Sequence, residues 1–127
     1  MKQKESFDTY YGKIWGVRWE ELKKAFAEEP GYHTLQEGLL KPYYLDKASV
    51  FPARALEVRP GDTVLDMCAA PGGKTLQLAL AKGPAGLLVA NDKSADRRFR
   101  LKTVLEEHLP AEIAASVKIT GYDAATW

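Results

Sequence analysis

Asp62-Thr63-Val64-Leu65-Asp66-Met67-Cys68-Ala69-Ala70-Pro71-Gly72-Gly73-Lys74-Thr75 is the stretch whose reading decides the fold. Val64 to Cys68 is apolar except for Asp66, and it follows a Pro60-Gly61 turn. Such a short run suits a strand buried on both faces, as in a parallel sheet. Ala69, Ala70, Gly72 and Gly73 carry little or no side chain, so a ligand can approach the backbone closely. Pro71 fixes φ and stiffens the turn. Lys74 to Lys82 predicts a helix with Leu76, Leu78, Leu80 and its alanines as apolar surface, and Pro84 bars its continuation. The first N–H groups of that helix lack intrahelical partners and face the place where a ligand can sit.

Three ligand classes use such a turn. A dinucleotide site wants G-x-G-x-x-G, which is absent. A P-loop wants G-x-x-x-x-G-K-[ST]; Gly73-Lys74-Thr75 matches its end, but Cys68 stands at the first glycine position. S-adenosylmethionine has no phosphate, and its site needs a close turn for the methionine part and carboxylates for ribose and adenine. The later acids favour this third class. Gly86 to Asp92 reads as a second apolar strand, and an acid at its end is placed to accept two ribose hydroxyls. Val117 to Gly121 predicts a third strand, with Asp123 behind it as acceptor for the adenine amine. A Walker B reading of Leu87 to Asp92 keeps a P-loop nucleotide hydrolase as the rival, though it leaves Asp123 and the missing glycine unexplained.

The string Asp66-Met67-Cys68-Ala69-Ala70-Pro71-Gly72-Gly73-Lys74-Thr75 resembles the cofactor motif of the Sun family of RNA cytosine-5 methyltransferases, the RsmB/Nop type. Asn91-Asp92-Lys93-Ser94 with Arg97 resembles that family's second motif, and Gly121-Tyr122-Asp123-Ala124 its third. Tyr43-Tyr44-Leu45-Asp46-Lys47-Ala48-Ser49 is similar to the segment upstream of the domain. Phe7-Asp8-Thr9-Tyr10-Tyr11, with Trp15 and Arg18-Trp19, resembles the amino-terminal helices of the branch that includes mitochondrial ribosomal RNA enzymes.

The resemblance implies an α/β chain: an incomplete Rossmann-like S-adenosylmethionine-dependent methyltransferase domain of about three parallel strands. It also implies cofactor contacts at Cys68, Ala69, Ala70, Pro71, Gly72, Gly73, Lys74, Asp92, Arg97 and Asp123, and RNA, ribosomal above all, as the partner. Family members attack carbon 6 of a cytosine with a cysteine thiolate and use a second cysteine in product release. Both lie downstream of the third motif, so Cys68 is not the nucleophile by position, and no catalytic residue is assigned. The chain alone is accordingly expected to be inactive, with the carboxy-terminal half of the domain to be supplied.

Composition sets the remaining bounds. In 127 residues, 18 basic against 17 acidic side chains give no global field that demands nucleic acid. A hydrophobic share of 46% marks a globular chain. The single cysteine excludes an internal disulfide and fits a reducing, cytoplasmic location. No stretch has metal-ligand spacing, and no apolar run is long enough to span a membrane. The predicted layout is a helical region over residues 1–56 and the amino-terminal half of the methyltransferase domain over 57–127. Trp19, Leu22 and Phe26 share one helical face, Glu28-Glu29-Pro30-Gly31 ends that helix, and Ser49 is the expected cap of a helix through Leu56. Ser94 caps a further helix whose inner line is Arg97, Leu101, Val104, Leu105 and His108. Lys93, Arg97, Arg98, Arg100 and Lys102 form a basic cluster. With the aromatics, it gives a third reading, a non-catalytic RNA-binding module. The first strand should have neighbours on both edges, and three strands leave one bare, which points to a fragment of a larger enzyme.

Overall fold

The computed structural model describes residues 5–127. They form two compact units, divided between Pro30 and Gly31. In the first unit, helix α1 (Phe7–Trp15) starts at Ser6, whose Oγ accepts from the Thr9 N–H at 3.2 Å, and is followed by α2 (Arg18–Ala27). Trp19 is buried; its Nε1 donates to Asp8 Oδ1 at 2.8 Å, and Tyr11 stacks on it at 5.3 Å. The aromatics here pack on one another, although Phe26, on the same face as Trp19, stays 70% exposed.

The second unit opens with an antiparallel hairpin, β1 (Tyr32–Leu35) paired with β2 (Tyr43–Asp46), in the register Tyr32 to Asp46 and Leu35 to Tyr43. This corrects the expectation of a helical region over residues 1–56, which also contains this hairpin. Pro30-Gly31 stops α2, and the aromatic run Tyr43-Tyr44 favours a pleated, half-buried surface. A 3-10 turn (Lys47–Ser49) then leads into α3 (Val50–Ala55). Ser49 makes no side-chain cap there, also against expectation, because the 3-10 turn already sets the helix entry.

A three-stranded parallel sheet follows: β3 (Thr63–Asp66), β4 (Leu87–Asn91) and β5 (Val117–Thr120), in the order β3-β4-β5. Helix α4 (Gly73–Lys82) crosses from β3 to β4; α5 (Ala95–His108) and the short α6 (Ala111–Ala114) cross from β4 to β5. Right-handed crossovers stepping in one direction place α4 and α5 on the same face. The pairing Val64 to Leu88 to Val117 lines that face, and Val64, Leu88, Ala90, Leu76, Ala79, Leu101 and Leu105 form its core. The register partners Leu65, Val89 and Lys118 point the other way, and Leu65 is 48% exposed. Among the described residues, β3 has β4 as its only strand neighbour, so the edge expected to be bare is bare.

Lys82 at the end of α4 is fully buried. Its Nζ donates to the carbonyls of Gly83 (2.8 Å) and Gly86 (3.3 Å) and to Ser116 Oγ, which fixes the α4–β4 turn to the start of β5. Burial without a carboxylate partner holds its ammonium below the ordinary lysine pKa.

Candidate functional site

The three parallel strands end on the same side of the unit, and the residues after them meet there. Strand β3 stops at Asp66, two residues short of the predicted end, so Met67 and Cys68 already belong to the turn. Cys68 is therefore exposed and not the buried small residue that the apolar run suggests. The turn leaves the sheet through a bond from the Ala69 N–H to the Asn91 carbonyl at 2.8 Å. It enters α4 at Gly72, whose φ of +123° only glycine adopts readily. No side chain caps this helix start. Thr75 braces the turn from within: its hydroxyl lies 2.8 Å from Asp66 Oδ2 and 3.2 Å from the Ala69 carbonyl, and the residue is fully buried.

Asp92 follows β4 and is buried. Its Oδ2 accepts from the Ala70 N–H at 3.3 Å and pairs with Arg97 Nε at 3.2 Å, while Oδ1 accepts from the Ser94 N–H at 3.1 Å. Arg97 also donates to the Ala70 carbonyl at 2.6 Å. Both polar groups of Ala70 are thus clamped from the second motif. Ser94 caps α5 by accepting from the Arg97 N–H, as predicted. Leu101, Leu105 and His108 face inward as expected, whereas Arg97 leaves that line and stays exposed.

Asp123 follows β5 and is half-buried. It pairs with Lys93 at 2.6 Å and accepts from the Ala125 N–H at 3.1 Å. The Lys93 hydrogen bond, helped by that N–H, holds its carboxyl below the ordinary aspartate range. The ten predicted site residues are therefore brought to one end of the sheet. Cys68, Pro71, Lys74 and Arg97 are exposed there, and Ala69, Ala70, Gly72, Gly73 and Asp92 lie buried beneath them.

The turn borders a cavity of about 290 Å³ lined on its far side by Tyr32, Tyr44 and Asp46 of the hairpin and by Ser49 of the 3-10 turn. The hairpin is held over the turn by Leu40 N–H donating to the His108 carbonyl at 2.8 Å and by a Lys41–Glu107 pair at 2.6 Å. Arg97 and Arg100 line a second cavity, of about 280 Å³, with Ala70 and Pro71.

Three contributors were not legible as site residues. Asn91 is fully buried between the strand ends, Thr75 is spent inside the turn, and Arg98 donates to the carbonyls of Asp92 and Lys93, both at 2.8 Å. For Asn91 the available signals were an amide closing an otherwise apolar strand and its place in the second motif, and neither shows what the amide bonds. The basic cluster is largely engaged within the unit: Lys93 with Asp123, Arg97 with Asp92, Arg98 with carbonyls and Lys102 with Glu106 at 3.7 Å. Among the described residues, no cluster of potential metal ligands occurs and no helix is long and apolar enough to cross a membrane.

Comparison with known proteins agrees with this geometry. The family described as 16S rRNA methyltransferase RsmB/F matches residues 53–126. The 5-cytosine rRNA methyltransferase NSUN4 of Bos taurus is 47% identical over 92 residues, covering 71% of this chain and 24% of the relative. The mitochondrial tRNA (cytosine(34)-C(5))-methyltransferase of Mus musculus is 42% identical over 89 residues, 69% of this chain and 25% of its own. The crystal structure of NSun6 from Pyrococcus horikoshii with SFG superposes with a TM-score of 0.60 at 31% identity, over 72% of this chain and 22% of that one. The chain spans about a quarter of the length of the curated relatives it matches. Motif series, sheet topology and family match coincide, and the chain belongs to the RsmB/F family of 16S rRNA methyltransferases.

Proposed function

We propose that this chain is the S-adenosylmethionine-binding part of an RNA cytosine-5 methyltransferase acting on ribosomal RNA. The observation that carries the reading is the convergence of one glycine-rich turn at a helix start with acids at the ends of two successive parallel strands, Asp92 and Asp123. The residues present fit the group. The α4 start offers uncapped N–H groups at Gly73 and Lys74, which border the cavity, for the methionine carboxylate, with the exposed Lys74 ammonium beside them. Asp92 keeps acceptor capacity beyond its present bonds. Arg97 covers it from a side chain that is 57% exposed, so ribose hydroxyls reach the carboxylate by displacing the Arg97 bonds to Asp92 and the Ala70 carbonyl. Asp123 is the acceptor for the adenine amine.

When bound, S-adenosylmethionine supplies a methyl group on a sulfonium centre. The chain's own residues bind and orient it: the turn excludes side-chain bulk, and the two carboxylates fix the nucleoside. The single cysteine, Cys68, sits in the turn, so the thiolate that attacks cytosine in such enzymes is assigned to no residue of the 127. The open edge of β3 fits completion of the domain by further strands. The single cysteine fits a reducing compartment, and two relatives are named as mitochondrial.

Calorimetric titration of the chain with S-adenosylmethionine, with ATP as control and an Asp92→Ala variant beside it, tests this. Binding of S-adenosylmethionine but not ATP, weakened at least about tenfold in the variant, is expected, since losing hydrogen bonds to a charged group costs about 1.5–3 kcal/mol. A folded chain that binds ATP instead, or neither, refutes the proposal.

A further inference from the structure

Asn91 occupies the last position of β4 and is fully buried. Its amide makes four hydrogen bonds. Nδ2 donates to the carbonyls of Met67 (3.1 Å) and Tyr122 (3.0 Å); Oδ1 accepts from Thr120 Oγ1 (2.9 Å) and from the Tyr122 N–H (2.8 Å). Two donors and two lone pairs are the whole capacity of an amide, so the group is saturated and its orientation is set by its partners. Its own carbonyl accepts from Ala69.

The partners are significant by position. Met67 precedes Cys68, Asn91 precedes Asp92, and Tyr122 precedes Asp123. Three of the four bonds fall on Met67 and Tyr122, each next to a candidate ligand-binding residue, and Asn91 itself adjoins the third; the remaining bond is to Thr120 on β5. Strands β3 and β5 are separated by β4 and share no ladder bond. The Asn91 side chain bridges their ends, bonding Met67 after β3 and Tyr122 after β5. An apolar residue would satisfy burial at this place. A buried amide is costly unless fully bonded, and when fully bonded it specifies one arrangement.

We propose that Asn91 is the positioning residue of the ligand site, setting the spacing between the Cys68–Lys74 turn, Asp92 and Asp123. It touches neither ligand nor reacting atoms; it acts through Cys68 and Asp123, which follow its partners Met67 and Tyr122, and through Asp92, which follows Asn91 itself. The proposal rests on the S-adenosylmethionine reading above.

The Asn91→Asp variant tests it. The substitution is isosteric and keeps the oxygen that accepts from Thr120 and Tyr122. It turns the other arm into an oxygen facing two carbonyls. When ionised, that oxygen repels both; when protonated, its hydroxyl can donate to one. Calorimetric titration with S-adenosylmethionine is run on wild type, Asn91→Asp and Thr120→Val between pH 5.5 and 8, with circular dichroism to confirm folding and urea midpoints to report stability. The expected dissociation constant of Asn91→Asp, relative to wild type at the same pH, is raised at least about tenfold at pH 8. That ratio falls as the pH is lowered. Thr120→Val loses one of four bonds and is expected to change affinity by about threefold or less, with no pH trend. A folded Asn91→Asp chain with wild-type affinity at both ends of the range, whatever its urea midpoint, overturns the proposal and leaves the site reading standing. A pH-independent loss equal in both variants also overturns it. Absence of binding by folded wild type sinks the site reading and this proposal with it.

Discussion

Replacing Gly72 with alanine should cost far more than the same change at Gly61, and the difference can be worked from geometry. Both glycines have positive φ, +123° at Gly72 and +89° at Gly61. Forcing an L residue into such backbone costs about 1–3 kcal/mol. At Gly61 a new Cβ meets nothing within 4 Å, so the cost ends there. At Gly72 it would lie 3.0 Å from Val104 Cγ1 and 3.2 Å from Leu101 Cδ1. Leu101 is fully buried and cannot swing out. Val104, β-branched on helix α5, has one strongly preferred rotamer. Overpacking of this kind adds about 1–3 kcal/mol. Gly72→Ala should therefore lose about 2–6 kcal/mol against about 1–3 for Gly61→Ala, a large share of the 5–15 kcal/mol typical of a domain. Urea unfolding followed by circular dichroism measures both. Equal losses in the two variants would show that α5 does not press on the turn, and the account of how the turn is held would be wrong.

Two further outcomes follow from the same contacts. Thr75→Val keeps shape but removes the hydroxyl that Asp66 and Ala69 share; a loss of about 1–3 kcal/mol is expected for the stranded buried acceptor, read as a lowered urea midpoint, and an unchanged midpoint would contradict the bonding. For acid stability, Glu107 is held below its ordinary pKa by its Lys41 hydrogen bond, and Asp123 by Lys93. Folded values below unfolded ones mean that their contribution is present above the ordinary carboxylate values and is lost as the pH falls through the folded ones. A Lys41→Met, Lys93→Met double variant should show a shallower fall in Tm from pH 5 to pH 3, and an undiminished fall would remove both pairs from the account.

How much of this was legible in the sequence depended on whether the cause was local. The β3–turn–α4 unit was readable because Pro60-Gly61, the small residues and Pro84 punctuate one apolar pattern. Ser94 as the α5 cap was readable because capping acts within three residues. The hairpin was not, since β1 and β2 are four residues each and gain their place from bonds to the far end of α5. Buried Lys82 reads as an ordinary polar helix end; only the meeting of Gly83, Gly86 and Ser116 accounts for it. The same holds for the site. Asp92 and Asp123 stand where strand ends predicted them, while the Ala70 clamp and the Asn91 amide depend on strands that are remote in sequence.

The choice between a phosphate and a nucleoside at this turn comes down to what two side chains already bond. In a P-loop, the hydroxyl after the lysine goes to a magnesium ion. Here Thr75 is fully buried and its hydroxyl is held by Asp66 and Ala69. A Walker B acid would also serve the metal, yet Asp92 turns its carboxylate onto the Ala70 and Ser94 N–H groups. The Ala70 N–H, a turn donor that a phosphate would need, is therefore already taken by a carboxylate. A ribose hydroxyl arriving at the same carboxylate meets an acceptor. The shared letters Gly73-Lys74-Thr75 therefore have different chemical meanings in the two settings, and Asp92 is the residue that separates them.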